Sequence, residues 1–272
     1  MEDLERRFRR SLVLIDYPDN SRVTLEIACS SIHAAQKLQD EFGGKILRLE
    51  PDWLQGFSKE NRKKPLRIGS RLIVFNSPNQ ARPSSSRNVH SIVIPAEAAF
   101  GTGEHATTAM CLRLLERYTR SCQGDWKMLD AGTGSGILAI AGSYFGAGRV
   151  LAIDTDPLAC KTAKRNARLN GSRKIIFFQT NIFTHKFRET FDIIVANLFS
   201  QVLIEALPIW RKHLSPEGKL IFSGILRTQE RETFRAVRDK DFRISDICRR
   251  GKWVAAVAQR RSKRVLDRAA HV

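Results

Sequence analysis

Residues Met128-Leu-Asp-Ala-Gly-Thr-Gly-Ser-Gly-Ile-Leu-Ala-Ile-Ala141 form a short apolar run that breaks into three alternate glycines and resumes as a helix-forming stretch. A second apolar run, Val150-Leu-Ala-Ile-Asp154, ends in an acid about 20 residues beyond the first glycine. Strand, tight turn, helix and acid-terminated strand in that order describe a nucleotide-binding βαβ unit. Gly132, Gly134 and Gly136 have no side chain to hold a ligand away, so backbone can touch it. Asp154, at the carboxyl end of the neighbouring strand, can accept both hydroxyl hydrogens of a ribose.

Glycine spacing narrows the nucleotide. Dinucleotide sites read G-x-G-x-x-G, with a pyrophosphate on the helix N-terminus. Here the third glycine comes one residue early, Ile137 stands in its place, and an acid, Asp130, leads into the loop. That suits S-adenosylmethionine, which carries a ribose, an amino group and a carboxylate but no phosphate. Three small residues in a turn also serve as a packing device, so the pattern gains its weight from Asp130, both strands and Asp154 together.

A chain of 272 residues leaves room for one catalytic domain and an appendage. No apolar run approaches the ~20 residues that span a bilayer. The apolar stretch Ser11 to Ile15 is too short for a secretory core, so a cytoplasmic location is expected, with no membrane contact. The five cysteines form no C-x-x-C pair and read as reduced thiols, with no metal site. A formal net charge of +18 attracts polyanions, which makes ribosomal RNA a candidate contact. The basic residues are spread among Arg6 to Arg10, Arg62-Lys63-Lys64, the helix around Lys161, Lys164 and Arg165, and the tail from Arg260 to Arg264. No aromatics interleaved among them for base stacking are evident, which argues against direct RNA recognition.

Along the chain, residues 1–50 read as a small α+β module, with strands at Ser21 to Ala28 and Lys45 to Leu49. Between them Ile32, Ala35, Leu38 and Phe42 lie at helical spacing. Residues 51–88 read as linker and insertion: Pro51 to Arg71 as linker, Leu72 to Phe75 as a strand, and Asn76 to Arg87 as a loop before a strand at Val89 to Ile94. Residues 89–260 form the main domain and 261–272 a basic tail. From Lys127 strands alternate with helices, which implies a mainly parallel sheet covered on both faces. Asp156, Pro157 and Asn170-Gly171 bracket one of those helices. The last two strands, Arg243 to Cys248 and Trp253 to Ala258, follow each other through Arg250-Gly251 as an antiparallel hairpin.

Two further segments carry chemistry. Ala99-Phe-Gly-Thr-Gly-Glu-His-Ala-Thr-Thr108 has little apolar area to bury and opens a helix; Thr107 or Thr108 can cap that helix, and a cap can also face a ligand. Phe191-Asp-Ile-Ile-Val-Ala-Asn-Leu198 is a buried strand that delivers Asn197, both donor and acceptor, to the edge that holds the glycine loop and Asp154.

With Phe100 to Thr108, Asp130 to Ala141, Ile153 to Ala159, Val195 to Leu198 and Ser223 to Leu226 in this order and spacing, the chain resembles the PrmA family. That family methylates the large-subunit ribosomal protein L-eleven with S-adenosylmethionine. The resemblance implies a class I methyltransferase fold: a Rossmann-like α/β domain with a seven-stranded sheet ending in an antiparallel hairpin, beside an N-terminal α+β module that recognises the substrate. It implies that Phe100, Thr108, Asp130, Gly132, Gly134, Asp154 and Asn197 surround the cofactor. Asn197 then lies beside the reacting methyl group and His105 helps shape the acceptor channel. The expected reaction is methyl transfer to lysine or N-terminal amines of a ribosomal protein by a monomer. An RNA or small-molecule methyltransferase of the same fold stays open, as does an RNA-binding factor without chemistry.

Overall fold

The computed structural model describes residues 12–16, 23–27, 32–46, 65–80, 89–95 and 105–261, which fall into two compact units, Met1–Arg62 and Lys63–Val272. Phe100, the remainder of its loop up to Glu104, and the basic clusters at 6–10 and 62–64 lie outside the described residues.

In the first unit, β1 (Leu12–Asp16) and β2 (Val23–Ile27) form an antiparallel hairpin, followed by α1 (Ile32–Phe42). β1 takes up most of the apolar stretch Ser11 to Ile15. On α1, Ala35 and Leu38 are half-buried while Ile32 and Phe42 stay exposed. The strand expected at Lys45 to Leu49 falls largely outside the described residues, and Lys45 and Ile46 are coil.

The second unit opens with a three-stranded sheet of β3 (Leu66–Ile68), β4 (Leu72–Phe75) and β5 (His90–Val93). β3 pairs antiparallel with β4, and β4 runs parallel to β5. The linker reading of Pro51 to Arg71 therefore gives way at its end to a strand. Ile68, Leu72, Val74 and Ile92 join the main core, and burying them outweighs the turn-forming look of the residues around them. A buried amide ties β5 to the main domain. Asn170 accepts from the Val93 N–H at 2.7 Å and donates to the Val93 carbonyl at 2.8 Å, so the residue read as a helix end also replaces a missing strand partner.

The seven-stranded sheet has the order β11-β12-β10-β9-β6-β7-β8. Its members are β6 (Lys127–Ala131), β7 (Arg149–Asp154), β8 (Ile175–Gln179), β9 (Phe191–Asn197), β10 (Leu214–Leu226), β11 (Phe242–Arg250) and β12 (Trp253–Arg260). The strands from β6 to β10 pair parallel, and the β11–β12 hairpin is antiparallel. The apolar runs of β6, β7 and β9 are buried on both faces, as a parallel sheet requires. α2 (Ala106–Tyr118), α3 (Ile137–Tyr144) and α4 (Pro157–Leu169) contribute to the core on one face. α5 (Ser200–His213) and α6 (Glu230–Asp239) contribute to the other. Asp156 caps α4 by accepting from the Leu158 N–H at 2.8 Å.

One close approach fixes where β9 ends. The Leu198 N–H donates to the Ser223 carbonyl, and the chain then turns so tightly that a Cβ on Gly224 would lie 2.2 Å from the Leu198 carbonyl oxygen. Gly224 also has φ +92° and sits in a bulge of β10. Gly224→Ala is expected to lower unfolding free energy by about 2 kcal/mol or more, from overpacking and left-handed strain, and to displace Asn197. Urea unfolding checks the first; an unchanged midpoint would contradict this account.

Candidate functional site

All the parallel strands finish at one edge, where β6, β7 and β9 deliver Asp130, Asp154 and Asn197. The loop after β6 folds back onto β7: the Gly132 and Thr133 N–H groups both donate to the Ile153 carbonyl at 2.9 Å. Gly132, Gly134 and Gly136 have φ of +75°, +53° and +82°, which explains three glycines in five residues. Space gives a second reason. A Cβ on Gly132 would meet Leu198 at 2.4 Å, and one on Gly136 would meet Ala163 of α4 at 3.0 Å. Two of the three therefore serve the packing of the loop against its neighbours as well as any approach of a ligand.

Two carboxylates pin this loop. Asp154 accepts from the Gly134 N–H through Oδ2 at 2.9 Å and from the Asp156 N–H through Oδ1 at 3.0 Å. It is half-buried, and each oxygen keeps a further acceptor position. Asp130 is fully buried beneath the loop. Its Oδ2 accepts from the Thr133 hydroxyl at 2.7 Å and from the Ala139 N–H at 3.1 Å, while Oδ1 has no partner in the protein. Burial pushes the Asp130 carboxyl up to about 7, although both hydrogen bonds pull it down.

Asn197 ends β9 half-buried and donates from Nδ2 to the hydroxyl of Thr108 at 3.3 Å. Thr108 belongs to the first turn of α2 and is itself buried. The threonine cap expected there is absent: His105 occupies the N-cap position without a side-chain cap bond, and Thr107 and Thr108 lie inside the helix. His105 Nδ1 lies 2.7 Å from the Thr107 hydroxyl, and its ring meets Trp253 edge-on at 5.0 Å. Burial, with help from the Lys252 charge, lowers its pKa and keeps the imidazole neutral near pH 7.

The sequence reading missed three contributors. Trp253, the first residue of β12, reaches the same edge because β12 runs opposite to β10. Leu198 fills the space that Gly132 leaves. The turn beyond β8 flanks Asp154: the Thr180 N–H donates to the Asp154 carbonyl at 2.8 Å, Asn181 Oδ1 accepts from the Phe183 N–H, and Ile182 is buried. Ordering along the sheet could have found that turn, since it follows the strand next to Asp154. Among the described residues no cluster of His, Cys, Asp or Glu could hold a metal ion.

The site fits an adenosyl cofactor on its own terms: an acid with spare acceptor positions beside a loop without side chains, and an orphaned buried oxygen on Asp130 under that loop. Comparison with known proteins points the same way. A family model described as Ribosomal protein L11 methyltransferase (PrmA) matches residues 6–261. A ribosomal protein L11 methyltransferase of Heliobacterium modesticaldum is 37% identical over 211 residues, 78% of this chain and 65% of the relative. One from Prochlorococcus marinus is 32% identical over 251 residues, 90% of this chain and 82% of the relative. The chain thus spans just under two thirds of the first of these relatives and more of the second. A crystal structure of ribosomal protein L11 methylase from Lactobacillus delbrueckii subsp. bulgaricus superposes with a TM-score of 0.66 at 30% identity, covering 74% of this chain and all of that one.

The raised Asp130 pKa has a measurable consequence. In the folded protein the carboxyl holds its proton up to about pH 7, against about 3.8 when unfolded, so its contribution to stability is full below pH 4 and is lost as pH rises to 7. Asp130→Asn should remove that decline. Urea midpoints measured between pH 4 and 8 test it: identical pH profiles for both proteins would refute the assignment.

Proposed function

This chain belongs to the PrmA family of ribosomal protein L11 methyltransferases, and from that premise we propose that it transfers methyl groups from S-adenosylmethionine to amines of a large-subunit ribosomal protein. The observation that carries the reading is the convergence of the Asp154-held glycine loop and the Thr108–Asn197 pair at one sheet edge. A cytoplasmic location, where such a substrate is made, goes with it. S-adenosylmethionine, when bound, supplies an electrophilic methyl group on a sulfonium.

The residues of the chain supply placement. Asp154 takes the ribose hydroxyls on the acceptor positions left by Gly134 and Asp156. The turn Asn181 to Phe183 flanks the base, and the backbone at Gly132 and Gly134 receives the methionine end. Asp130 acts from beneath by fixing Thr133 and the start of α3, with Oδ1 available to a donor above it. Thr108 holds the Asn197 amide, which leaves the amide carbonyl to orient an amine at the rim. In the family pattern Phe100 belongs close to the cofactor.

Charge disperses in such a transfer, so alignment and exclusion of water matter more than stabilising a new ion. Effective molarity can supply ~7–11 kcal/mol of barrier reduction. A lysine nucleophile must first lose its proton, and the apolar surfaces of Trp253 and Leu198 push its pKa down from its usual ~10.4. A neutral His105 packed on Trp253 shapes that channel and serves as a positioning residue.

Asp154→Ala should weaken binding of S-adenosylhomocysteine at least about tenfold, as expected for loss of a charged acceptor. Titration calorimetry with unchanged affinity would remove Asp154 from the site. Tritiated methyl transfer to ribosomal proteins and to rRNA, run side by side, tests the acceptor. Label in the protein fraction supports the reading, label in RNA points to an RNA methyltransferase of this fold, and no label in either sinks both.

A further inference from the structure

Between Asp156 and Glu189 the chain carries eight lysines and arginines and not one acidic residue. The fold gathers this stretch at one end of the main domain. Lys161, Lys164, Arg165 and Arg168 all lie on the exposed side of α4, two more cations occupy the turn into β8, and Lys186 and Arg188 follow β8. The bordering acids are engaged elsewhere: Asp156 caps α4, and Glu189 pairs with Lys127 and Arg149.

β8 closes the sheet on this side and has a neighbour only in β7. Between β8 and β9 the chain forms only turn and coil, so this connection places no helix on the face opposite α4. Ile176 and Phe178 point to that face and are 38% and 46% exposed. Behind Phe178 runs a ladder of rings. Phe178 lies 5.6 Å from His185, His185 lies 4.6 Å from Phe187, and Phe187 lies 5.2 Å from His213. In the returning loop the rings of His185 and Phe187 alternate along the chain with Lys186 and Arg188, and the fold sets Phe178 of β8 against them.

We propose that this edge binds single-stranded RNA, with phosphates along the cations and unstacked bases on Phe178 and the rings behind it. The charge decides the class of occupant. A second copy docking edge to edge would bring two acid-free stretches together and be repelled, whereas a polyanion gains from the cations of the turn into β8 and of the returning loop. The exposed rings decide the form of nucleic acid, since a duplex keeps its bases stacked and offers an aromatic platform nothing. Phe178, Lys186 and Arg188 are not among the residues assigned to methyl transfer, so the proposal stands or falls independently of that reaction.

Fluorescence anisotropy of the full chain with a dye-labelled oligouridylate of about a dozen nucleotides tests it. Phe178→Ala should weaken binding about tenfold with the salt dependence of log K unchanged, and Phe178→Leu, which keeps the apolar volume, should weaken it comparably. Lys186→Glu with Arg188→Glu should reduce the slope of log K against log salt by about 1.4 or more. Methyl transfer should be unaffected by any of these changes. Equal affinity of wild type and Phe178→Ala, or duplex bound as tightly as single strand, would overturn the proposal in favour of unspecific charge. A concentration-dependent dimer in sedimentation, abolished by Phe178→Ala, would overturn it in favour of self-association.

Discussion

The loop between β6 and α3 is held from two sides by carboxylates, and the geometry of the site follows from that. Asp130 grips it from below through Thr133 and Ala139, and Asp154 grips it from the side through Gly134. Neither contact alone sets the loop. Together they fix the turn and the start of the helix at once, in a conformation with positive φ at three positions. The arrangement carries a penalty, because a fully buried carboxyl loses the solvation of its charge, and two hydrogen bonds to a single oxygen offset that only in part.

The rest of the cleft is assembled by close backbone packing. Gly224 lets β10 pass against Leu198, Leu198 fills the space above Gly132, and Asn197, one residue earlier, is thereby aimed at Thr108. The motifs V-A-N-L and S-G-I-L therefore behave as two halves of one joint. β9 and β12, which flank β10, then place Asn197 and Trp253 at the same edge although the chain runs in opposite directions through them.

The two ends of the main sheet differ in character. At one end the antiparallel hairpin β11–β12 closes the sheet and delivers Trp253 to the site, with Arg249 paired to Glu230 of α6. At the other, β8 leaves Ile176 and Phe178 exposed beside a stretch free of acids. Eight of the 46 lysines and arginines fall in that acid-free stretch.

The amino-acid sequence by itself determined the parallel core strands, the glycine turn, the capped helix α4 and the acid at the end of β7. These rest on local runs: apolar stretches of strand length, a turn that needs positive φ, and a cap and its helix only residues apart. It did not show that β3 belongs to the core, that His105 rather than a threonine stands at the helix cap, or that two of the glycines are needed for packing. Nor did it show that Thr108 meets Asn197 across 89 positions, or that Phe178, His185 and Phe187 form a ladder. Those features depend on strand order and register, which only tertiary packing decides, because the free energy that selects them comes from surfaces brought together from distant parts of the chain.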